Sequence, residues 1–391
     1  MVDFCINGGG MVGAALALGL AQQHYNIVVI EPHLPEDYHL DDGPDLRVSA
    51  ISDTSVNLLQ ALGAWDFIKA MRVKPYTGLS VWDDPAHRTD FTASSIDMPQ
   101  LGFFVENRIL QLGCHAALKQ YSNVTLVAGK SVSDISLSDR ATVSLSDGSV
   151  IQAQWLIGAD GANSQVRAAS GIGCSGWQYA QQAMGITVKL NNPVDAITWQ
   201  QFTPTGPVAF LPMFDNYASL VWYNSAEELQ RLKGLNNTQL TNEILKAFPA
   251  DLTANNNHFS VIDKAVFPLT RSHAHQYVKG QCVLLGDAAH TINPLAGQGV
   301  NLGFKDVEAF LTATAKRHPL SSNAFVQALE TAFESPRRRE NLIMMTAMDG
   351  FYTLFSNDIG PIKWVRNQLL SVAQKMHGPK REVLKYAIGL R

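Results

Sequence analysis

A chain of 391 residues with 46% apolar and 16% charged side chains can bury a large core, and its length suggests two domains or one large composite. The formal charge of −4 argues against nucleic acid as a partner of the whole molecule. The four cysteines, Cys5, Cys114, Cys174 and Cys282, are far apart with no CxxC spacing, which argues against a zinc site or a disulfide frame and suits a reducing cytoplasm. No run reaches the roughly eighteen uninterrupted apolar residues that a spanning helix needs. Met11–Leu20 has the texture of a signal-peptide core, but Asp3 stands where positive charge belongs. The expected location is the cytoplasm.

Val2–Asn7 reads as a strand running into Gly8-Gly9-Gly10-Met11-Val12-Gly13. An Ala- and Leu-rich helix follows over Ala14–His24, then a second strand, Ile27–Ile30, closed by Glu31. This is a βαβ opening with GxGxxG at its turn. Gly8, Gly10 and Gly13 permit the turn and the approach of a pyrophosphate, and Glu31 can accept from an adenosine ribose 2′-hydroxyl. An acid at that position fits FAD or NAD and disfavours a 2′-phosphate. A second GxGxxG, Gly171–Gly176, follows a helical stretch and opens no clear helix, so it reads as a plain loop. One dinucleotide therefore has a dedicated site, and a second nucleotide would bind without one.

Arg47 follows a polar, Pro-containing loop; its guanidinium fork matches paired phosphate oxygens, and a plain surface arginine fits the sequence equally well. Leu79–Trp82 and Leu101–Val105 read as strands and Ile109–Leu118 as a helix. Short strands follow at Val124–Val127, Ile135–Leu137, Thr142–Leu145 and Val150–Ile157. The last runs into Gly158-Ala159-Asp160-Gly161, and a helix then carries Arg167 about two turns beyond the acid. Locally this is an Asx-turn with a helix cap, and a ligand-binding role adds to that reading.

Ile186–Leu190, Thr198–Phe202, Val208–Pro212 and Ala218–Trp222 are short alternating segments separated by turns, the texture of an antiparallel sheet inserted into the α/β domain. Thr238–Phe248 reads as a helix and Val261–Leu269 as a strand. Leu284–Gly303 then reads as strand, glycine-rich turn and helix, crossing Gly286, Asp287, Pro294, Gly297 and Gly299. Val307, Phe310, Leu311 and Thr314 fall on one face of that helix, with Lys305, Asp306 and Glu308 off it. Such a helix start suits a phosphate, or a flat heterocycle that becomes anionic. The tail from Ser335 is mainly helical. Lys363–Arg391 holds seven basic residues against Glu382 alone, a balance of +6 that leaves −10 for the remainder. With Trp364, Leu369, Leu370 and Tyr386 interleaved, this stretch fits an anionic membrane surface, and equally helices packed on the main domain.

GxGxxG at Gly8–Gly13, Asp160-Gly161 with Arg167, and Gly286-Asp287 occur in that order. The combination resembles the class A FAD-dependent aromatic monooxygenases, the p-hydroxybenzoate hydroxylase-like group, over nearly the whole chain. Thr198–Pro204, Ala209–Tyr223 and Pro268–Arg271 resemble the ubiquinone-biosynthesis hydroxylases in that group, and most of all the branch acting on 2-polyprenyl-3-methyl-6-methoxy-1,4-benzoquinol. The resemblance implies a Rossmann-type α/β FAD-binding domain (residues 1–75, 101–175 and 265–335), an antiparallel-sheet substrate domain (76–100 and 176–264) and a C-terminal helical region (336–391). It implies tightly bound, non-covalent FAD, with NAD(P)H and O2 as co-substrates. It also implies that Glu31 binds the adenosine ribose, that Arg47 and Asp160 lie near the pyrophosphate, and that Asp287 holds the ribityl chain. Pro294 to Asn301, with Gly297 and Gly299, would line the isoalloxazine.

Asp160-Gly161 and Arg167 are further implicated in meeting NAD(P)H, and Asn107 is the nearest candidate for a flavin-touching residue after Val105. Asn7 departs from the small or aliphatic residue usual before the glycines, which puts flavin affinity in question. The implied reaction adds one atom of O2 to an electron-rich ring through an oxygen adduct of the reduced flavin. His290, His273 and Tyr217 are candidate proton-handling groups beside Pro294, each with a structural reading as well. The implied substrate is a polyprenylated quinol, whose apolar tail gives the basic C-terminal stretch a reason to dock on a membrane or in a ubiquinone-biosynthesis complex, with homo-oligomers open. Three alternatives stand beside this reading: a sister hydroxylase for another ring position, a hydroxylase of small soluble phenols, and a non-catalytic flavin-holding scaffold.

Overall fold

The computed structural model describes residues 1–138, 140–292 and 299–355. The chain opens with β1 (Val2–Asn7), α1 (Met11–Gln22) and β2 (Ile27–Glu31). It continues through β3 (Val48–Ser52), β4 (Gly102–Glu106), α2 (Asn107–Leu118), β5 (Val150–Gly158) and α3 (Gln165–Ala169). Two long strands, β6 (Cys174–Leu190) and β8 (Phe259–Ala274), bracket β7 (Tyr217–Ser225) and the helices α4 (Ala226–Lys233) and α5 (Asn237–Ala247). The described chain closes with β9 (Cys282–Leu284), α6 (Gly299–Thr314) and α7 (Ser335–Phe355).

The first sheet is parallel at its centre, with β9, β5, β1 and β2 adjacent in that order. Phe4 faces Trp155 on one side and Ile27 on the other. Both faces of these strands are covered, so their sequences are apolar runs with no alternation. α1 is apolar all round because it lies between the sheet and α6. Gly19 makes that fit: a Cβ there would stand 2.2 Å from Leu311 Cδ1. Each large side chain buried in this core contributes on the order of 1.5–3 kcal/mol.

The second sheet is mostly antiparallel and runs His290–Thr291, β8, β6, β7, Val208–Pro212, Ile197–Gln201, Gly78–Trp82 and Thr89–Thr92. Met184, Ile186 and Val188 of β6 and Leu220 and Trp222 of β7 pack under Leu229, Leu232, Leu240 and Ile244 of α4 and α5. The residues between them lie on the opposite face of the sheet. A Cβ on Gly185 would touch Phe267 at 3.4 Å and Leu46 at 3.9 Å. A small third sheet joins β3, β4 and Lys74–Tyr76.

Several expectations need correcting. Ile186–Leu190 is the end of a 17-residue strand, and Val261–Leu269 is the middle of a 16-residue one. The Gly171–Gly176 stretch is therefore not a plain loop: β6 starts at Cys174, and Gly176 pairs with Ser272 so closely that a Cβ would lie 2.1 Å from Arg271 O. α3 begins only at Gln165, which puts Arg167 in its first turn and not two turns past Asp160. Asp306, placed off the apolar face of α6, is completely buried. Residues 356–391, including the basic stretch Lys363–Arg391, lie outside the described residues.

Candidate active site

Neighbouring parallel strands deliver all three motifs to one edge. Glu31 ends β2, Gly8 follows β1, Asp160 lies just past β5, and Gly286 lies just past β9. The carboxyl ends of such strands are where open α/β sheets bind ligands.

At the glycine turn, Gly8 has φ +104°, and a Cβ on Gly13 would lie 1.9 Å from Gly8 O. These two glycines are needed by the protein's own packing. Gly10 is different. Its φ is −68°, it caps α1 without any side-chain acceptor, and no atom lies within 4 Å of where its Cβ would be. The start of α1 thus offers backbone N–H groups and a partial positive charge to open space, a fit for pyrophosphate. Glu31 stands next to the turn, 2.9 Å from a Cβ built on Gly9, and its Oε1 accepts from the His33 amide. Sequence reading missed two residues that brace the turn from α2. Gln111 Nε2 donates to Gly9 O at 3.1 Å, and His115 Nε2 lies 2.6 Å from the same oxygen. Their i, i+4 spacing on the buried side of a helix is the signal that could have found them.

Asn7 is buried and its Nδ2 donates to Asp160 Oδ2 at 3.0 Å, tying the first motif to the second. The same oxygen accepts from the Gln165 and Val166 amides at 2.8 and 3.2 Å, so Asp160 holds the start of α3 together with the N-cap Ser164, which accepts from the Arg167 amide; the buried Oδ1 of Asp160 has no partner. A Cβ on Gly161, at φ +78°, would meet nothing within 4 Å. Arg167 bridges the second and third motifs, donating to Ala162 O at 2.6 Å and Ala288 O at 2.7 Å. Two of its nitrogens are thereby spent on backbone.

In the third motif Gly286 has φ +58° and its amide donates to Asp306 Oδ2 at 3.0 Å. Asp287 remains accessible to solvent, yet the protein around it pushes its carboxyl above the usual range, against the pull of His290 and Arg47. Arg47, whose charge acts on Asp287, is exposed, and its guanidinium lies 5.0 Å over the Phe267 ring of β8. The Asn107 amide donates to Arg47 O at 3.0 Å, and Asn107 Oδ1 accepts from Ser49 at 2.7 Å. Asn301 is buried, with Nδ2 on Ala50 O and Oδ1 accepting from the Ser52 amide and Ser55 Oγ. Its side chain anchors α6 to β3. Pro294 and Gly297 lie outside the described residues.

His290 is buried, with Nε2 on Asp306 Oδ2 at 2.5 Å and no partner for Nδ1. Tyr217 is half-buried against Phe214, with Lys189 Nζ 5.2 Å over its ring. The structure separates the two. His290 pairs with His273, which faces Ser175 near the start of β6, whereas Tyr217 faces Lys189 at its other end. At about 3.3 Å per residue that is on the order of 40 Å, so they cannot serve one reacting ring.

FAD fits these residues: an open glycine at the start of α1, an acid at the end of β2, and an exposed carboxylate at Asp287 under the charge of Arg47. A family model described as an FAD binding domain matches residues 1–341. The chain is 45% identical over 389 residues to the 3-demethoxyubiquinol 3-hydroxylase of Escherichia coli (strain K12), covering 99% of this chain and 98% of that one. It is 32% identical to the mitochondrial ubiquinone biosynthesis monooxygenase COQ6 of Xenopus tropicalis, covering 98% of this chain and 93% of the other. The crystal structure of p-nitrophenol 4-monooxygenase PnpA from Pseudomonas putida superposes with a TM-score of 0.81 at 18% identity over 99% of this chain and 98% of that one, which shows a shared fold. The fold is therefore that of the class A FAD monooxygenases, as the motifs led one to expect. The chain belongs to the FAD-binding domain family and, within it, to the flavin hydroxylases of ubiquinone biosynthesis.

Proposed function

We propose that this protein uses FAD, NAD(P)H and O2 to hydroxylate the ring of 2-polyprenyl-3-methyl-6-methoxy-1,4-benzoquinol, a step of aerobic ubiquinone biosynthesis. The observation that carries the substrate is the 45% identity, end to end, with a hydroxylase named for that chemistry. One oxygen atom enters a ring C–H bond, the other leaves as water, and NAD(P)H supplies the two electrons. Bound FAD supplies the hydride-accepting, oxygen-activating ring. The protein's residues bind, orient and exclude water. The amides at the start of α1 hold the pyrophosphate, Glu31 accepts from the adenosine ribose, and Asp287 accepts from the ribityl chain. Arg47 places positive charge at the seam between the cofactor and the second sheet, and the start of α6 offers partial positive charge where negative charge gathers. The face of the second sheet that carries Gly185 and Phe267 forms the wall against the substrate. The quinol ring is already activated by its hydroxyls, so no dedicated base is required. His290, held on Asp306, serves the architecture of the turn.

This reading keeps residues 1–75, 101–175 and 265–335 as the flavin domain and residues 76–100 and 176–264 as the substrate domain, with β8 crossing the bound at 265 so that its end, including Phe267, stays in the second sheet. It also assigns the sequence Lys363–Arg391 to docking on an anionic membrane or a partner that presents the prenyl tail, supported by its +6 balance. A chain ending near Gly360 is expected to lose partition onto anionic liposomes, and equal partition would refute the docking role. The substrate is tested by profiling quinone intermediates by mass spectrometry in cells lacking the protein. Accumulation of the methylated, methoxylated quinol without its last hydroxyl supports the assignment. Accumulation of a different intermediate moves the reaction to another ring position.

A further inference from the structure

Behind the Gly286–Asp287 turn lies a buried polar cluster that the chemistry above does not use. Asp306 sits wholly buried in α6 among the buried apolar residues Leu302, Phe304, Val307 and Phe310. Its Oδ2 accepts from the Gly286 amide at 3.0 Å and from His290 Nε2 at 2.5 Å. Its Oδ1 accepts from Arg337 Nε at 2.8 Å and Asn341 Nδ2 at 3.2 Å, both on α7. Arg337 Nη2 also donates to Asn341 Oδ1 at 2.7 Å, and Asn341 Nδ2 reaches Tyr277 Oη at 3.1 Å, beside His273.

A buried carboxylate costs several kcal/mol unless it is paired and hydrogen-bonded, and well-packed apolar residues often serve stability as well. What the charge holds is therefore informative. It grips the backbone just before Asp287 and the ring three residues after it, so the turn is fixed from behind on both sides. Gly286, at φ +58°, has a backbone that would otherwise be free to take other conformations. Between Asp306 and Tyr277 stands the amide of Asn341, which donates to both and does not readily give up or take on a proton, so this link is not a proton conduit. The family match extends to residue 341, so it includes both α7 partners.

We propose that Asp306 is the positioning residue of the cofactor turn: by holding Gly286 and His290 it presents the Asp287 carboxylate to the flavin, and it makes the first two turns of α7 part of the cofactor site. This rests on FAD binding at the Gly286–Asp287 turn.

The test compares Asp306→Asn, Asn341→Ala and Asp287→Ala in the full-length protein. The FAD dissociation constant, the visible spectrum of the bound flavin and the melting temperature of the apoprotein are measured for each. Asp306→Asn is expected to raise the dissociation constant about 10- to 100-fold, by analogy with residues that orient the ligands of a metal, and to displace the flavin spectrum. Asn341→Ala, which removes one outer donor, is expected to move both in the same direction by less. If melting falls while affinity and spectrum stay unchanged, Asp306 serves stability alone and the proposal is overturned. Should Asp306→Asn fail to fold, the Asn341→Ala affinity and spectrum decide in the same way. Unchanged affinity in Asp287→Ala would overturn the placing of FAD itself; weakened affinity there with no change in Asp306→Asn or Asn341→Ala would overturn only the positioning role.

Discussion

Individual residues divide here into those the fold needs and those a ligand needs, and the glycine turn shows the difference. Gly13 cannot accept a Cβ without striking Gly8 O, so Gly13→Ala is expected to destabilise the apoprotein and abolish FAD binding together. Gly10 has an ordinary φ and open space in front of it. Gly10→Ala is expected to leave apoprotein melting nearly unchanged, within about 0.5 kcal/mol as for neutral sites, while weakening FAD at least about tenfold, roughly 1.4 kcal/mol. Thermal melts of the apoprotein and a flavin fluorescence titration check both halves. Equal FAD affinity in Gly10→Ala would mean that the start of α1 faces something other than the pyrophosphate. Asn7, which departs from the usual residue before the glycines, turns out to join two motifs by bonding to Asp160.

At the scale of elements, the glycine of α1 that lies against Leu311 sets how near α1 and α6 approach. Gly19→Ala is expected to cost about 1–3 kcal/mol, the usual cost of overpacking, read as a shift of the denaturation midpoint. A neutral result would mean that Leu311 swings aside freely. The βαβ opening, the Asp-Gly element and the Gly-Asp element were legible because each is a local pattern: an apolar run, a glycine turn and a cap within a dozen residues. The long strands were not. β6 has a bulge between Gln178 and Gln182 and an exposed first half, so its alternation breaks and only its buried end reads as a strand. Asp306 was misplaced for a different reason. Its partners, His290 and Arg337, lie 16 and 31 residues away, and helical periodicity places any acid on the solvent side. The separation of Tyr217 from His290 was hidden likewise, because it depends on strand register, which no local pattern carries.

For the whole molecule, buried ionisable groups shape the response to acid. Burial, aided by the charges of His290 and Arg338, lowers the pKa of His273 from 6.5 to about 4. Burial also lowers that of His115 against its bond to Gly9. As pH falls from about 6.5 towards 4, the unfolded chain takes up protons on these rings while the folded one does not, so stability is lost across that window. Burial alone would raise Asp306, but His290 and Arg337 outweigh it and hold the carboxyl at about 2, so its contribution is lost only below the ordinary value of 3.8. Denaturant titrations at pH 7, 5.5 and 4.5 are expected to show falling stability, with a shallower fall in His273→Gln; identical slopes would remove His273 from the account.

The three motifs matter together because the parallel sheet brings them to one edge, where the proposed reading has one FAD held between Glu31 and Asp287 and used to hydroxylate the quinol ring. The most direct measurement of that claim is a single-turnover reaction of the FAD-loaded protein with NAD(P)H, 18O2 and the polyprenylated demethoxy-type quinol. One 18O atom is expected in the ring hydroxyl of the product for each NAD(P)H oxidised. NAD(P)H oxidation that yields only hydrogen peroxide, or a hydroxyl without the label, would contradict it.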